Sequence, residues 1–275
     1  MKNKKDLFDP ISNVLILVLT LVNVFPLVWL LASSFKSTIE INALPPQLFP
    51  TNPTLINFDK LFAQNDALLW LLNSFAISFI TMLATVIIGS MAAYAFAKLH
   101  FRGAKIMFII FISALMIPKE VYIIPLFKVM GNFGLRNTYT GIILPCVALP
   151  FGCFLLKQSF SSVHDSLRES AFIDGASEPV IFLRVMLPLC KPGIAALSII
   201  TFVQIWNDYL WQMVMVSWDE MQTLQIGIAR LQLENTPDYG LKVAGATVAA
   251  IPMLIIFVAF QKFFTRGIAF GAVKE

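Results

Sequence analysis

Long apolar runs recur along this chain, separated by short polar stretches that carry nearly all of its charge. A helix needs about 20 mostly apolar residues to cross a bilayer. Six segments reach that length: 11–33, 70–97, 104–127, 137–157, 192–216 and 243–263. The pattern predicts an all-α integral membrane protein, one domain over 1–275, with six transmembrane helices and a polar connection over 158–191 between the fourth and fifth. The third segment carries a flaw, because Lys119 and Glu120 follow Pro118. At about 1.5 Å of rise per residue they lie roughly 20 Å along a helix that starts near Ala104. That depth is the outer interface, where a charged pair in reach of water is the simple expectation.

The polar stretches differ from one another. Residues 34–66 hold Pro45, Pro46, Pro50 and Pro53, which predicts an extended, ordered crossing rather than a helix. Residues 219–242, mixed in charge, read as solvated filler. The connection 158–191 carries a local code for two short helices. Ser166 and Glu169 form an S-x-x-E capping box that would start the first, and Gly175 is placed to end it in a left-handed conformation. Ser177 can cap the second, with Pro179 tolerated in its first turn, and Pro188 would end it. Leu167, Ala171 and Phe172 share a face of the first helix; Ile181, Phe182, Val185 and Met186 belong to the second. Those faces either pack on the inner ends of the spans or meet another protein, and the residues alone favour neither.

Composition then narrows the class. The chain is 58% hydrophobic and 13% charged, with a mean hydropathy of +0.78, whereas soluble domains carry about 25% charged residues. Lipid must therefore cover most of the surface. A net charge of +4 is too small to argue for nucleic acid, and no nucleic-acid partner is expected. With the N-terminus inside, thirteen basic residues fall on the cytoplasmic side, among them Lys2, Lys4, Lys5, Lys98, Arg102, Lys105, Lys157, Arg168, Arg184 and Lys191. Seven fall outside, namely Lys36, Lys60, Lys119, Lys128, Arg136, Arg230 and Lys242. This bias places both termini in the cytoplasm. The first apolar run continues past Pro26 and Trp29, longer than a cleaved signal allows, so it reads as an uncleaved span.

Chemistry-bearing residues are sparse. Cys146, Cys153 and Cys190 suit small apolar filler, and His100 and His164 lie in polar loops without zinc spacing. No G-x-x-x-x-G-K-[ST] occurs, so the chain lacks a phosphate-cradling P-loop. Within the fifth span Gln204, Asn207 and Asp208 are polar, flanked by Trp206, Tyr209 and Trp211. An ionised side chain at the bilayer centre costs about 2.5–3.5 kcal/mol, so Asp208 should face the bundle interior or lie near the interface. The group either lines a solute path, where aromatic faces and amide or carboxylate groups suit a sugar, or forms an interfacial aromatic belt with its polar members joining a second membrane chain. An ion-driven secondary transporter would want paired intramembrane carboxylates or inverted repeats. An intramembrane enzyme would want a nucleophile with its base at depth. Neither set is visible.

The run from Glu169 to Pro192 resembles the E-A-A-x-x-x-G signature of permease subunits of binding-protein-dependent ABC importers, in the version of the carbohydrate-uptake branch. Glu169, Ala171, Asp174, Gly175, Ala176, Ser177, Phe182, Leu187 and Pro188 match, while Ser170 stands where a second Ala is usual and Val185 where Ile is frequent. Leu44-Pro45-Pro46, Gly134-Leu135-Arg136-Asn137-Thr138, Trp206-Asn207-Asp208-Tyr209 and Gly271-Ala272-Val273-Lys274 are similar to the maltose-type second permease. The resemblance implies a type I importer permease fold in a bacterial or archaeal cytoplasmic membrane. It implies a second homologous permease, a cytoplasmic ATPase dimer that binds ATP and Mg in place of any cofactor in this chain, and an extracytoplasmic sugar-binding protein. Glu169, Ala171, Asp174, Gly175, Ala176, Phe182, Leu187 and Pro188 would then couple to the ATPase. The same motifs would allow glycerol phosphate or another polyol derivative as the solute.

Overall fold

The computed structural model describes the backbone of residues 5–231 and 238–272, with no strand among them. In chain order the main helices are α1 (Lys5–Ser34), α2 (Ala67–Lys98), α3 (Ala104–Ser113), α4 (Lys119–Asn132), α5 (Tyr139–Val147), α6 (Pro150–Ser161), α7 (Asp165–Ile173), α8 (Glu178–Ile181), α9 (Lys191–Trp206), α10 (Leu210–Met215), α11 (Leu224–Leu231) and α12 (Tyr239–Ala272). Three stretches are unbroken and apolar enough to span: Ser12–Ser34, Ala67–Lys98 and Tyr239–Gln261. Three more qualify only as bent pairs, giving up to six by length and composition.

Two of those bends interrupt expected spans; the other, of 80°, lies at Cys190 between Glu178–Leu189 and Lys191–Trp206, ahead of the fifth span. The third, expected over 104–127, stops at Ser113, makes a 3₁₀ turn over Ala114–Met116, and restarts at Lys119 after a 106° bend. Pro118 has no N–H to donate and holds Ile117 extended, which ends the first half. The fourth, expected over 137–157, breaks at Ala148 and Leu149 with a 45° bend, then runs from Pro150 to Ser161. The fifth, expected over 192–216, ends at Trp206. Two short polar side chains bind local backbone there: Asn207 donates its amide to the Val203 carbonyl at 2.9 Å, and the Asp208 carboxylate accepts the Trp211 N–H at 3.3 Å.

The described chain gathers into two compact units, residues 1–68 with 227–252, and residues 69–226 with 253–275. In the first unit the proline-rich segment is ordered, as expected, but it is not wholly extended. Ser37 and Glu40 form a capping box on the turn Thr38–Ile41, and a helix covers Ile56–Ala63. Past Pro53 no proline interrupts the chain, and Asn57 and Leu61, one helical turn apart, are both buried. The Asn57 amide donates to the carbonyls of Ser34 and Lys36 at 2.9 and 2.7 Å, tying this helix to the end of α1. Lys60 and Asp238 form an ion pair at 2.6 Å.

In the second unit, α2 is built inside out. Asn73, Ser74, Ser78, Thr81 and Thr85 are buried, whereas Leu72, Phe75, Phe79, Leu83 and Ile87 are exposed. In a bilayer apolar side chains gain nothing by leaving the lipid, so small polar residues take the helix–helix face. Asn73 donates to the carbonyls of Glu220 and Gln222, both at 2.9 Å, and Ser74 Oγ accepts the Leu224 N–H at 2.8 Å. These bonds, with Met221, Leu224 and Ile226 buried, show residues 219–226 packed where solvated filler was expected; residues 232–237 of that stretch lie outside the described residues. α6 and α9 approach closely where Leu197 seats on Gly152: a Cβ there would lie 2.8 Å from Leu197 Cδ1.

Candidate functional site

The polar connection folds as an elbow. α7 closes on Gly175 at φ +83°, with the Ala176 N–H donating to the Ala171 carbonyl and the Gly175 N–H to the Phe172 carbonyl, each at 3.0 Å. This is a Schellman stop, and a side chain at that φ is strained. The expected capping box is not formed. α7 starts two residues earlier than that box would set it, at Asp165, after His164, which makes no side-chain cap. Asp165 instead meets Lys98, whose ammonium also donates to the Val163 carbonyl at 2.6 Å. The Lys98 hydrogen bond holds the Asp165 carboxyl below the ordinary carboxylate range.

The second half of the elbow also departs from expectation. Ser177 precedes α8 without a side-chain cap, and Pro179 lies in the first turn. Pro188 does not end the helix: the chain passes through a π turn over Phe182–Met186 and a last α turn over Leu187–Leu189 before it breaks at Cys190. A proline cannot donate into the ladder, and the wider turn immediately precedes it. Arg168 clamps α7 to α8 by two parallel bonds to Glu178, at 2.9 and 2.8 Å. The Tyr94 hydroxyl of α2 donates to the same carboxylate.

Burial splits the elbow into two faces. Ile181 and Met186 are fully buried against Tyr94, Leu156, Phe160 and Leu197, and Ala171, Ala176, Phe182, Val185 and Leu187 pack on that cluster. The rings of Tyr94 and Phe182 lie 5.1 Å apart. Glu169, Asp174, Gly175 and Pro188 are exposed. Phe172 and Ile173 are exposed too, at 64% and 83%. Self-packing and an open face thus coexist, each with its own residues.

The second feature lies where the helix breaks converge. A cavity of about 660 Å³ is lined by Leu115 from the first break, Leu149 from the second, Lys119 and Tyr122 of α4, Gln204 of α9 and Trp211 of α10. Irregular backbone at membrane depth is tolerated where it lines a cavity or is buried in protein. An adjoining recess of about 210 Å³ is lined by Lys119, Asn207, Asp208 and Tyr209. Lys119 and Asp208 form an ion pair there, their side chains 33% and 10% exposed. Lys119 opens α4 and, through Asp208, bridges two of the breaks. Trp206 and Trp211 are buried, and the Trp211 indole N–H donates to the Ile142 carbonyl at 3.0 Å. That removes both from an interfacial belt, leaving Tyr209 exposed.

Residues 85–270 match the family described as "Binding-protein-dependent transport system inner membrane component". The chain belongs to this family. A permease of the same kind, the arabinooligosaccharides transport system permease protein of Halalkalibacterium halodurans, is 35% identical over 91% of each chain. A diacetylchitobiose uptake system permease protein of Streptomyces coelicolor is 32% identical over 97% of this chain and 89% of its own. Among solved structures, a bacterial ABC transporter involved in the import of the acidic polysaccharide alginate has a chain that superposes with a TM-score of 0.84 over 96% of this chain and 99% of its own, at 22% identity. The fold is that of an ABC importer permease.

Set on that family frame, Gln204 reaches the cavity, and Asn207 and Asp208 reach the recess beside it. The eight elbow residues lie in one segment but not on one face. Sequence reasoning missed Tyr94, Lys98, Arg168 and Glu178 as parts of the elbow and Lys119 as the partner of Asp208. Their separations, 84, 67, 10 and 89 residues for the four polar pairs they make, follow no helical spacing that a pattern search would detect.

Proposed function

We propose that this chain is the permease subunit of an ATP-driven importer of an oligosaccharide-class sugar, delivered from outside by a binding protein. The observation that carries this reading is the match, over nine-tenths of the chain, to permeases named for arabinooligosaccharide uptake. A second permease completes the passage, and a separate ATPase dimer binds ATP and Mg, in keeping with the missing P-loop. Both termini are cytoplasmic, following the excess of basic residues on that side.

The two features take different parts in the cycle. Glu169, Ala171, Asp174, Gly175, Ala176, Phe182, Leu187 and Pro188 form the coupling element. Glu169, Asp174 and Pro188, with Phe172 and Ile173, face the ATPase; Ala171, Ala176, Phe182 and Leu187 tie the elbow to the span bundle; Gly175 sets the angle between them. Gln204, Asn207 and Asp208 line the solute path. Amide and aromatic groups there suit a hydroxyl-rich ligand; Lys119 and Asp208 neutralise each other, and Glu120, which also lines the recess, adds an acceptor for sugar hydroxyls.

Replacing Gly175 with Val, or Glu169 with Lys, tests the coupling. In the assembled complex both substitutions should abolish substrate-stimulated ATP hydrolysis by at least an order of magnitude while the permease still inserts. Wild-type transport in both variants would defeat the assignment.

A further inference from the structure

The second unit holds a larger cleft than the solute cavity, of about 1020 Å³, between the end of α2, the start of α3 and Lys157 of α6. Phe96, Phe101 and Phe108 line it together with Arg102, Lys105 and Lys157. Arg102 and Lys105 are exposed, and the Lys157 ammonium stands 4.9 Å from the centroid of the Phe108 ring. Among the described residues, no carboxylate pairs with any of these three cations. Asp165, the acidic group that acts on His100 of the same cleft, is already engaged by Lys98. Gly103 precedes α3 and supplies no side-chain cap, so first-turn amides such as those of Lys105 and Ile106 have no partner inside the helix. A basic rim, open helix amides and a phenyl-lined wall thus meet in one cleft beside membrane spans.

We infer that this cleft binds an acidic phospholipid of the inner leaflet, with Arg102, Lys105 and Lys157 holding the phosphate and Phe96, Phe101 and Phe108 flanking the first part of the acyl chains. The inference rests on the cytoplasmic placement of residues 98–105 proposed above. The cations call for an anion, and the aromatic wall calls for an apolar body attached to it. A free phosphate ion uses only the first, and a neutral lipid only the second. Basic pockets between spans on the cytoplasmic side are suited to anionic headgroups, and each Lys or Arg near the surface contributes about fivefold in affinity.

The test uses the assembled transporter in nanodiscs of phosphatidylcholine with a minority of phosphatidylglycerol, with retained lipids counted by native mass spectrometry. Wild type should hold phosphatidylglycerol in excess of its share. The triple substitution Arg102→Gln, Lys105→Gln, Lys157→Gln should weaken that retention roughly 100-fold, and Arg102→Lys, Lys105→Arg, Lys157→Arg should restore most of it. Millimolar inorganic phosphate should leave the retention unchanged. Equal retention by wild type and the Gln variant, displacement of the lipid by phosphate alone, or cross-linking of a partner protein into the cleft through position 105 would each overturn the site. Labelling of Arg102→Cys by a membrane-impermeant thiol reagent from the external side alone would overturn the orientation, and the inner-leaflet assignment with it. Internal labelling combined with lost lipid selectivity in the Gln variant would support both.

Discussion

The elbow and the cavity at the helix breaks are made from opposite treatments of the same helical backbone. The elbow is tied down: the Schellman turn at Gly175 satisfies the end of α7, the Arg168–Glu178 fork joins α7 to α8, and Ile181 and Met186 are sealed in an apolar cluster. At the cavity the irregularities stay open. A space of about 660 Å³ is lined by residues at or beside three helix breaks, and polar side chains occupy the last of these breaks. Closed helix ends in one region and interrupted ladders in the other are the two outcomes. Both follow from where prolines and short polar residues fall in the chain.

The largest effect should come from removing the seal. Met186→Ala deletes a fully buried side chain, and such deletions cost about 2–5 kcal/mol. The complex should show a clearly lower melting temperature, with ATP hydrolysis no longer responding to substrate. If melting is unchanged, the elbow is not held by its apolar face and the contrast with the cavity fails.

Next in size is Asp208→Ala, which strands Lys119. A fully buried pair broken in this way costs about 3–5 kcal/mol; Lys119 keeps partial access to water, so about 2 kcal/mol is expected in thermal melts. Sugar uptake should fall at least tenfold. Lys119→Met with Asp208→Leu should recover most of the stability and none of the uptake, since the charges are then absent together. Recovery of uptake as well would show that the pair is structural and that the cavity needs no polar wall there.

The smallest effect concerns Lys98 and Asp165, an ion pair with one exposed partner. Because the folded-state carboxyl titrates below its ordinary value of 3.8, its contribution is complete above that value and disappears as the pH falls through the lowered one. Asp165→Asn should therefore lower the melting temperature slightly at pH 7, with wild-type and variant curves merging below about pH 3.8. A difference that persists into acid would assign the tie to the Lys98–Val163 bond alone.

How far the sequence carried depended on the range of each interaction. Gly175 was legible because a helix stop is written within a few residues, and Asn207 and Asp208 because short polar side chains inside an apolar run are conspicuous anywhere. Ser166 and Glu169 carry the capping pattern, yet Lys98, one span away, engages Asp165 and α7 begins there instead. The tie between Lys119 and Asp208 was not legible, because the two lie 89 residues apart and the chain turns through 106° beside Lys119.

Apolar run lengths were enough, without coordinates, to point to a membrane bundle with a polar connection, because transfer into lipid is a sum over neighbouring residues. The folded molecule alone decided which half of that connection is sealed, which helix breaks share a cavity, and that Lys119 meets Asp208. Those outcomes depend on side chains tens of residues apart arriving at one place, and no local sum contains that information.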